Sequence, residues 1–312
     1  MNVIEVENLV KKYKKASSNA VDNISFNVAE GEFFAFLGPN GAGKTATISI
    51  LTTTLSKTSG NVKIAGFDID AEQDKVRSKI GVIFQNPSLD LNLTAEENIR
   101  FHAILYKLYK FTPTYGMMPK EYKNTVMSLA EVLGLKDDIF KPIRTFSGGM
   151  KRKLEIMRTL IHKPKVLFLD EPTSGLDPLS RKNLWEYLKG IKQKENTTIF
   201  LTTHYLEEAE DADTVCVINH GKIIINDSLQ SIKNNLVKNH IYVESDSGDT
   251  LKSELDKLGY KFELSGKGFN IYTNGNSLQH ILKSINTELK NIKVFQPTLD
   301  AVYVDLVREK DE

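Results

Sequence analysis

This sequence predicts an α/β architecture with a smaller α+β unit at its C-terminal end, and three observations carry the prediction. First, the apolar run 33–37 enters the glycine-rich stretch Gly38-Pro39-Asn40-Gly41-Ala42-Gly43-Lys44-Thr45, which opens a helix predicted over 44–55. Second, a glycine-rich turn, Phe146-Ser147-Gly148-Gly149-Met150, opens another helix, which Pro164 stops ahead of a strand over 166–169 tipped by Asp170 and Glu171. Third, 312 residues exceed the size at which one core stops growing. Beyond about Asp227 strand and helix patterns continue without a further glycine cradle or acid-tipped strand. The predicted boundary separates residues 1–227 from 228–312.

The other elements follow in chain order. Residues 4–10 and 24–28 read as strands, and 80–84 as a strand ending at Gln85. The stretch 94–133 is mostly helical, interrupted near Thr112-Pro113-Thr114-Tyr115-Gly116 by what reads as a loop insertion. Met150, Leu154, Met157 and Ile161 share one face of the helix after Ser147. Residues 198–202 form a β-branched strand ending at His204, and a helix over 206–212 and strands over 214–218 and 222–225 complete the first domain. In the second, strands are predicted over 240–244, 262–264, 270–273 and 292–295, with helices over 250–258 and 277–289. Leu299, Val302, Tyr303 and Leu306 make a last amphipathic helix.

Composition excludes several classes. With 41 basic against 40 acidic residues, the formal charge is +1, without the basic surplus of a nucleic-acid binder. Lys151-Arg152-Lys153 reads as a solvated face. The single cysteine, Cys216, lies in the apolar run Val215-Cys216-Val217-Ile218 and reads as a buried strand residue. No basic-then-apolar leader and no apolar stretch near ~20 residues is visible, so direct membrane insertion is not expected.

The motifs define a chemistry. Between a strand and a helix, Gly38 to Thr45 turn successive N–H groups inward, and the helix N-terminus adds positive potential, which together suit phosphate. In such a loop Lys44 reaches the β- and γ-phosphates of a nucleotide and Thr45 supplies a hydroxyl to Mg²⁺. Asp170 and Glu171 stand at the C-terminal tip of an apolar strand, where α/β sheets gather ligand-binding groups. There Asp170 suits Mg²⁺ held through water, and Glu171 suits orienting or deprotonating an attacking water. Gln85 and His204 also follow apolar strands, placing Gln85 on the cation or the water and His204 on the γ-phosphate. Tyr13, in a basic turn, suits stacking on an adenine ring and equally suits an ordinary exposed aromatic. Ser147, Gly148 and Gly149 form a second anion cradle. One ATP does not obviously use both cradles of one chain, so a second copy arranged head to tail is suggested, each chain completing the other's site.

Tyr13, Gly38 to Thr45, Gln85, Phe146 to Met150, the strand ending in Asp170-Glu171, Ser174-Gly175-Leu176-Asp177 and His204, in this order, resemble the ATP-binding subunits of ABC transporters. The wording around Ser147, Asp170 and His204 looks most like the daunorubicin-resistance type of exporter subunit, which also carries a C-terminal accessory domain. The resemblance implies a phosphate-loop fold with a RecA-like core, an antiparallel β subdomain and an α-helical subdomain, plus the small α+β accessory domain. It implies an ATPase that uses Mg²⁺ and works as a nucleotide-sandwich dimer driving a membrane permease, on the inner face of the membrane. In that picture Ser147 and Gly149 contact the ATP of the opposite subunit and Asp177 helps couple the two sites. A soluble ABC-type ATPase of translation or DNA repair is the competing reading. Three departures stand out: Phe146 and Met150 flank the signature, Ala46 replaces a hydroxyl expected at the α-phosphate, and the segment 111–122 is long for the family.

Overall fold

The computed structural model describes residues 1–84, 88–173, 176–236, 240–272 and 277–295. The chain divides into two compact units, Met1–Asn226 and Asp227–Glu312. In chain order the first runs β1 (Asn2–Lys11), β2 (Val21–Ala29), β3 (Phe33–Leu37), α1 (Lys44–Leu51), β4 (Ser59–Ile64), β5 (Phe67–Asp68), α2 (Gln73–Lys79) and β6 (Ile80–Ile83). It continues with α3 (Ala95–Leu105), α4 (Lys120–Val132), α5 (Gly148–Leu160), β7 (Val166–Asp170), α6 (Pro178–Glu195), β8 (Thr198–Thr203), β9 (Thr214–Asn219) and β10 (Lys222–Ser228).

One sheet has the order β2-β1-β4-β5 and is antiparallel throughout. Along β2 the buried residues Ile24, Phe26 and Val28 alternate with exposed ones, the pattern expected of a sheet covered on one side. The second sheet, β10-β9-β3-β8-β7-β6, is parallel across β9-β3-β8-β7-β6. Its central strands β3 and β7 are buried at every residue, which is why they read as unbroken apolar runs. The two sheets share one core with α1, and stacked or tilted rings of Phe26, Phe34, Phe36, Phe168 and Phe200 lie within it. Elsewhere in the unit α6 packs Trp185 against Phe33 at 5.7 Å and buries Leu184 and Leu188.

Several elements are shorter than their sequence patterns, each for a local reason. Helix α1 stops at Leu51 instead of 55, because the Thr52 hydroxyl donates back to the Ile48 carbonyl and Thr53 turns to φ +59°. The helix expected over 206–212 is a 3-10 turn over Leu206–Ala209, with Glu208 turned inward to accept from the Thr173 hydroxyl. The interruption near residue 112 is real, and the 3-10 turn Tyr115–Met117 lies in it. Arg100, buried on α3 and paired with Glu96, donates to the carbonyls of Thr112 and Pro113, both at 2.7 Å.

The second unit contains α7 (Leu229–Leu236), β11 (His240–Glu244), α8 (Gly248–Leu258), β12 (Phe262–Ser265), β13 (Gly268–Tyr272), α9 (Leu278–Ser284) and β14 (Asn291–Phe295). An antiparallel sheet of order β12-β13-β11-β14 buries Ile241, Val243, Phe269 and Ile271 with Leu251, Leu255 and Ile281 from the helices. Helix α9 ends well before residue 289. Ile285 is extended, and the Glu254 carboxylate accepts from the backbone N–H groups of Asn286 at 2.7 Å and Thr287 at 3.0 Å. The amphipathic pattern around Leu299 to Leu306 lies outside the described residues.

Candidate active site

Parallel register brings the site together. Leu37 at the end of β3 pairs with Thr203 of β8, Asp170 of β7 pairs with Thr202, and Ile83 of β6 pairs with Leu169. The residues leaving those four strands therefore emerge at one sheet edge, the place where open α/β sheets bind ligands. They are the loop from Gly38, the Asp170-Glu171 pair, His204 and Phe84.

Gly43 caps α1 at φ +112°, and a Cβ there would lie 2.5 Å from the Ala20 carbonyl. Gly38 is equally constrained, since its Cβ would lie 2.3 Å from the Ile218 carbonyl. Both positions need glycine for the loop to close against β9 and the start of β2. Lys44 is buried with its ammonium folded onto the loop, donating to the carbonyls of Gly38 at 2.6 Å and Pro39 at 3.1 Å. Burial lowers its pKa, opposed by the carboxylates of Glu171 and Asp170. Asn40, Lys44, Thr45, Ala46, Glu171 and His204 line a common cavity of about 480 Å³. A larger cavity, of about 880 Å³ between α4 and α6, contains none of the sequence-predicted residues.

Asp170 is buried, and burial raises its pKa, with the Thr202 hydroxyl donating to the carboxylate in the opposite sense. Asp170 and the exposed hydroxyl-bearing Thr45 offer the hard oxygen donors that Mg²⁺ takes, usually one or two protein groups together with substrate phosphates. Glu171 has a left-handed backbone, φ +46°, with its N–H donated to the Thr202 carbonyl at 3.0 Å. The Glu171 Oε1 atom lies 2.9 Å from Nδ1 of His204, so the putting together of acid and imidazole fixes the ring against the cavity.

The second cradle lies elsewhere on the same unit. Ser147 caps α5, its hydroxyl accepting from the Met150 N–H at 3.2 Å, and both Ser147 and Gly148 are exposed. None of Ser147, Gly148 and Gly149 lines the cavity. Tyr13 is also apart from it, 47% exposed with the Lys11 ammonium 5.3 Å from its ring. Asp177 is exposed directly ahead of α6, where its carbonyl accepts from Arg181. Gln85, Ser174 and Gly175 lie outside the described residues.

One reading is corrected. Arg152 is not part of a solvated face: it is buried, with its guanidinium bonded to four backbone carbonyls and to Glu155. The i, i+3 spacing to Glu155 is the local signal of this pairing, and the flanking lysines mask it. Thr202, which donates to Asp170, is the other residue the motifs did not single out.

The ABC transporter family matches residues 21–174. The linearmycin resistance ATP-binding protein LnrL of Bacillus subtilis (strain 168) is 40% identical over 223 residues, 71% of this chain and 68% of that protein. The daunorubicin/doxorubicin resistance ATP-binding protein DrrA of Streptomyces peucetius is 38% identical over 237 residues, 76% of this chain and 68% of that protein. The bacitracin transport ATP-binding protein BcrA of Bacillus licheniformis is 34% identical over 252 residues, 80% of this chain and 77% of that protein. Among solved structures, an ATP binding subunit of an ABC transporter superposes with a TM-score of 0.65 at 29% identity, covering 74% of this chain and 92% of that one. The ATP-binding cassette MJ0796, solved as a dimer in a post-hydrolysis state bound to ADP and Pi, gives 0.65 at 26%, covering 72% and 98%. With that identity over more than two thirds of both chains, and with that fold, the chain belongs to the ABC transporter family, as an ATP-binding cassette that hydrolyses ATP for transport.

Proposed function

We propose that this chain is the ATP-hydrolysing subunit of an exporter for drug-like or antibiotic-like hydrophobic compounds. It works as a head-to-tail pair with a second copy, held on the inner face of the cell membrane through a separate permease. The names of the relatives, which concern resistance to linearmycin and to daunorubicin and doxorubicin, support the substrate class. Among the described residues no helix is long and apolar enough to cross a membrane.

The observation that carries the mechanism is the shared cavity of Lys44, Thr45, Glu171 and His204, whose lining does not include the exposed Ser147 cradle. The loop from Gly38 through Thr45 and Ala46 wraps the phosphates with its backbone N–H groups, and Lys44 leaves the carbonyls of Gly38 and Pro39 to meet the β- and γ-phosphates. Thr45 and Asp170 would hold Mg²⁺, Asp170 through water, and that cation would supply charge neutralisation at the phosphate oxygens. Glu171 takes the proton of the attacking water, and His204, oriented by its contact with Glu171, faces the γ-phosphate. Gln85 is assigned to the cation or the water, Tyr13 to the adenine ring and Asp177 to coupling between the sites, all three on the sequence alone. Ser147, Gly148 and Gly149 serve the nucleotide of the partner.

Replacing Glu171 by Gln tests the assignment, because it keeps the shape and removes the base. Turnover should fall by about 10²–10⁴-fold while ATP still binds and traps a dimer. Wild-type hydrolysis in that variant removes Glu171 from the role of base.

A further inference from the structure

Arg152 is the fifth residue of α5, about 7.5 Å along the axis from Ser147 at a rise of about 1.5 Å per residue. Its side chain is buried and makes an unusual set of bonds. Nε donates to the Pro172 carbonyl at 2.8 Å, and Nη2 to the carbonyls of Asp170 and Glu171, each at 3.3 Å. Nη1 donates to the Phe84 carbonyl and to the Glu155 carboxylate, the latter at 3.1 Å. Three successive carbonyls, 170 to 172, thus converge on one guanidinium. That convergence accompanies the φ of +46° at Glu171, a conformation L-residues rarely adopt and hold only where surrounding contacts fix it.

The same helix face continues the pattern. Glu155 accepts from the Ser88 N–H at 2.7 Å, and Arg158 donates to the Ser88 carbonyl and hydroxyl, both at 2.7 Å. Arg152, Glu155 and Arg158 form a polar ladder on α5 that reaches the strand tips of β6 and β7. A planar fork suits this work, since one group must bond carbonyls on two different strand ends at once. A lysine ammonium, a single point donor, does not span them.

We propose that Arg152 is the positioning residue of Glu171. It holds the left-handed turn that aims the carboxylate into the cavity, and it fastens that turn to the helix opening at Ser147. The cradle offered to the partner's nucleotide and the base acting on the chain's own nucleotide are then carried on one bonded body. The inference rests on the reading of Glu171 as base.

The test is a double-mutant cycle in the full-length chain with Mg²⁺ and ATP, using Arg152→Lys and Arg152→Gln, alone and with Glu171→Gln. Each Arg152 variant alone should lower kcat about 10- to 100-fold, the cost of a slightly misplaced reacting group, with the Kd for ATP near wild type and a lowered unfolding midpoint that still lies above the assay temperature. Combined with Glu171→Gln, neither should slow the residual turnover further, because both changes act through one group. Three results overturn the proposal: wild-type kcat in Arg152→Lys; losses that multiply with those of Glu171→Gln; or loss of ATP binding and of the folded state in both Arg152 variants. Full activity in Glu171→Gln alone fails the base assignment instead, and is read from that arm independently.

Discussion

Two helix N-termini of the molecule open on glycine-rich turns, and they differ in why they contain glycine. In the loop before α1 the chain itself demands it, since Gly38 and Gly43 leave no room for a Cβ against the carbonyls of Ile218 and Ala20. Before α5 the chain makes no such demand. A Cβ on Gly148 would meet nothing within 4 Å, and one on Gly149 only the Leu176 side chain at 3.7 Å. Glycine in a helix costs about 1 kcal/mol relative to alanine, so α5 begins with two residues that weaken it and that no close contact among the described residues requires to be glycine. Steric demand within the chain accounts for glycine at Gly38 and Gly43 and not at Gly148 or Gly149.

The largest test of that contrast is Ser147→Arg. A bulky cation at the exposed cradle should cut hydrolysis by about 10²-fold or more while leaving ATP binding to the isolated chain intact, as measured by steady-state turnover and nucleotide titration. Loss of binding as well would make the second cradle part of the chain's own site. A pair of alanine substitutions comes next. Gly43→Ala should destabilise the fold by about 1–3 kcal/mol through its positive φ and abolish nucleotide binding. Gly148→Ala should leave stability unchanged or raise it by about 1 kcal/mol, yet still reduce turnover. Equal unfolding midpoints for the two variants would break the contrast.

Acid should separate the two ends of the comparison more gently. The His102 imidazole, at the end of α3, is held down to about 3 by burial, with repulsion from Arg158 of α5 and from His162 just beyond it. Between about pH 6.5 and 3 the unfolded chain binds a proton that the folded chain refuses, so stability falls as pH drops through that window. The slope is up to about 1.4 kcal/mol per unit. Hydrogen-exchange protection of α5 should therefore weaken between pH 7 and 5 before that of α1, and His102→Phe should flatten the dependence. The smallest expected effect belongs to the first cradle. Ala46→Ser, at the cavity wall, should tighten ATP binding by the 0.5–1.5 kcal/mol of about one hydrogen bond, measurable by calorimetry.

The contrast also explains what the sequence made legible. Gly38 to Thr45, Asp170-Glu171 and His204 are read from local patterns, because strand, loop and residue type lie together in the chain and the parallel register then collects them. The burial of Arg152 has no local signature, since it is decided by carbonyls 68 and 20 residues away in sequence, at Phe84 and Pro172. Strand β4 escaped notice for a related reason. In Ser-Gly-Asn-Val-Lys-Ile only Val62 and Ile64 are buried, and the strand is held by pairing with β1 more than by its own apolar content. Helix α9 stops short of its sequence pattern because Glu254, on another helix, captures the amides that would have continued it.

The lone thiol at Cys216 has a practical consequence. It is fully buried in β9, and burial pushes its pKa well above the ordinary thiol range, so the native chain offers alkylating or spin-labelling reagents no reactive sulfur. A cysteine introduced at an exposed position beside the second cradle would carry the label alone. The approach of another molecule to α5 can then be followed spectroscopically with no further substitution.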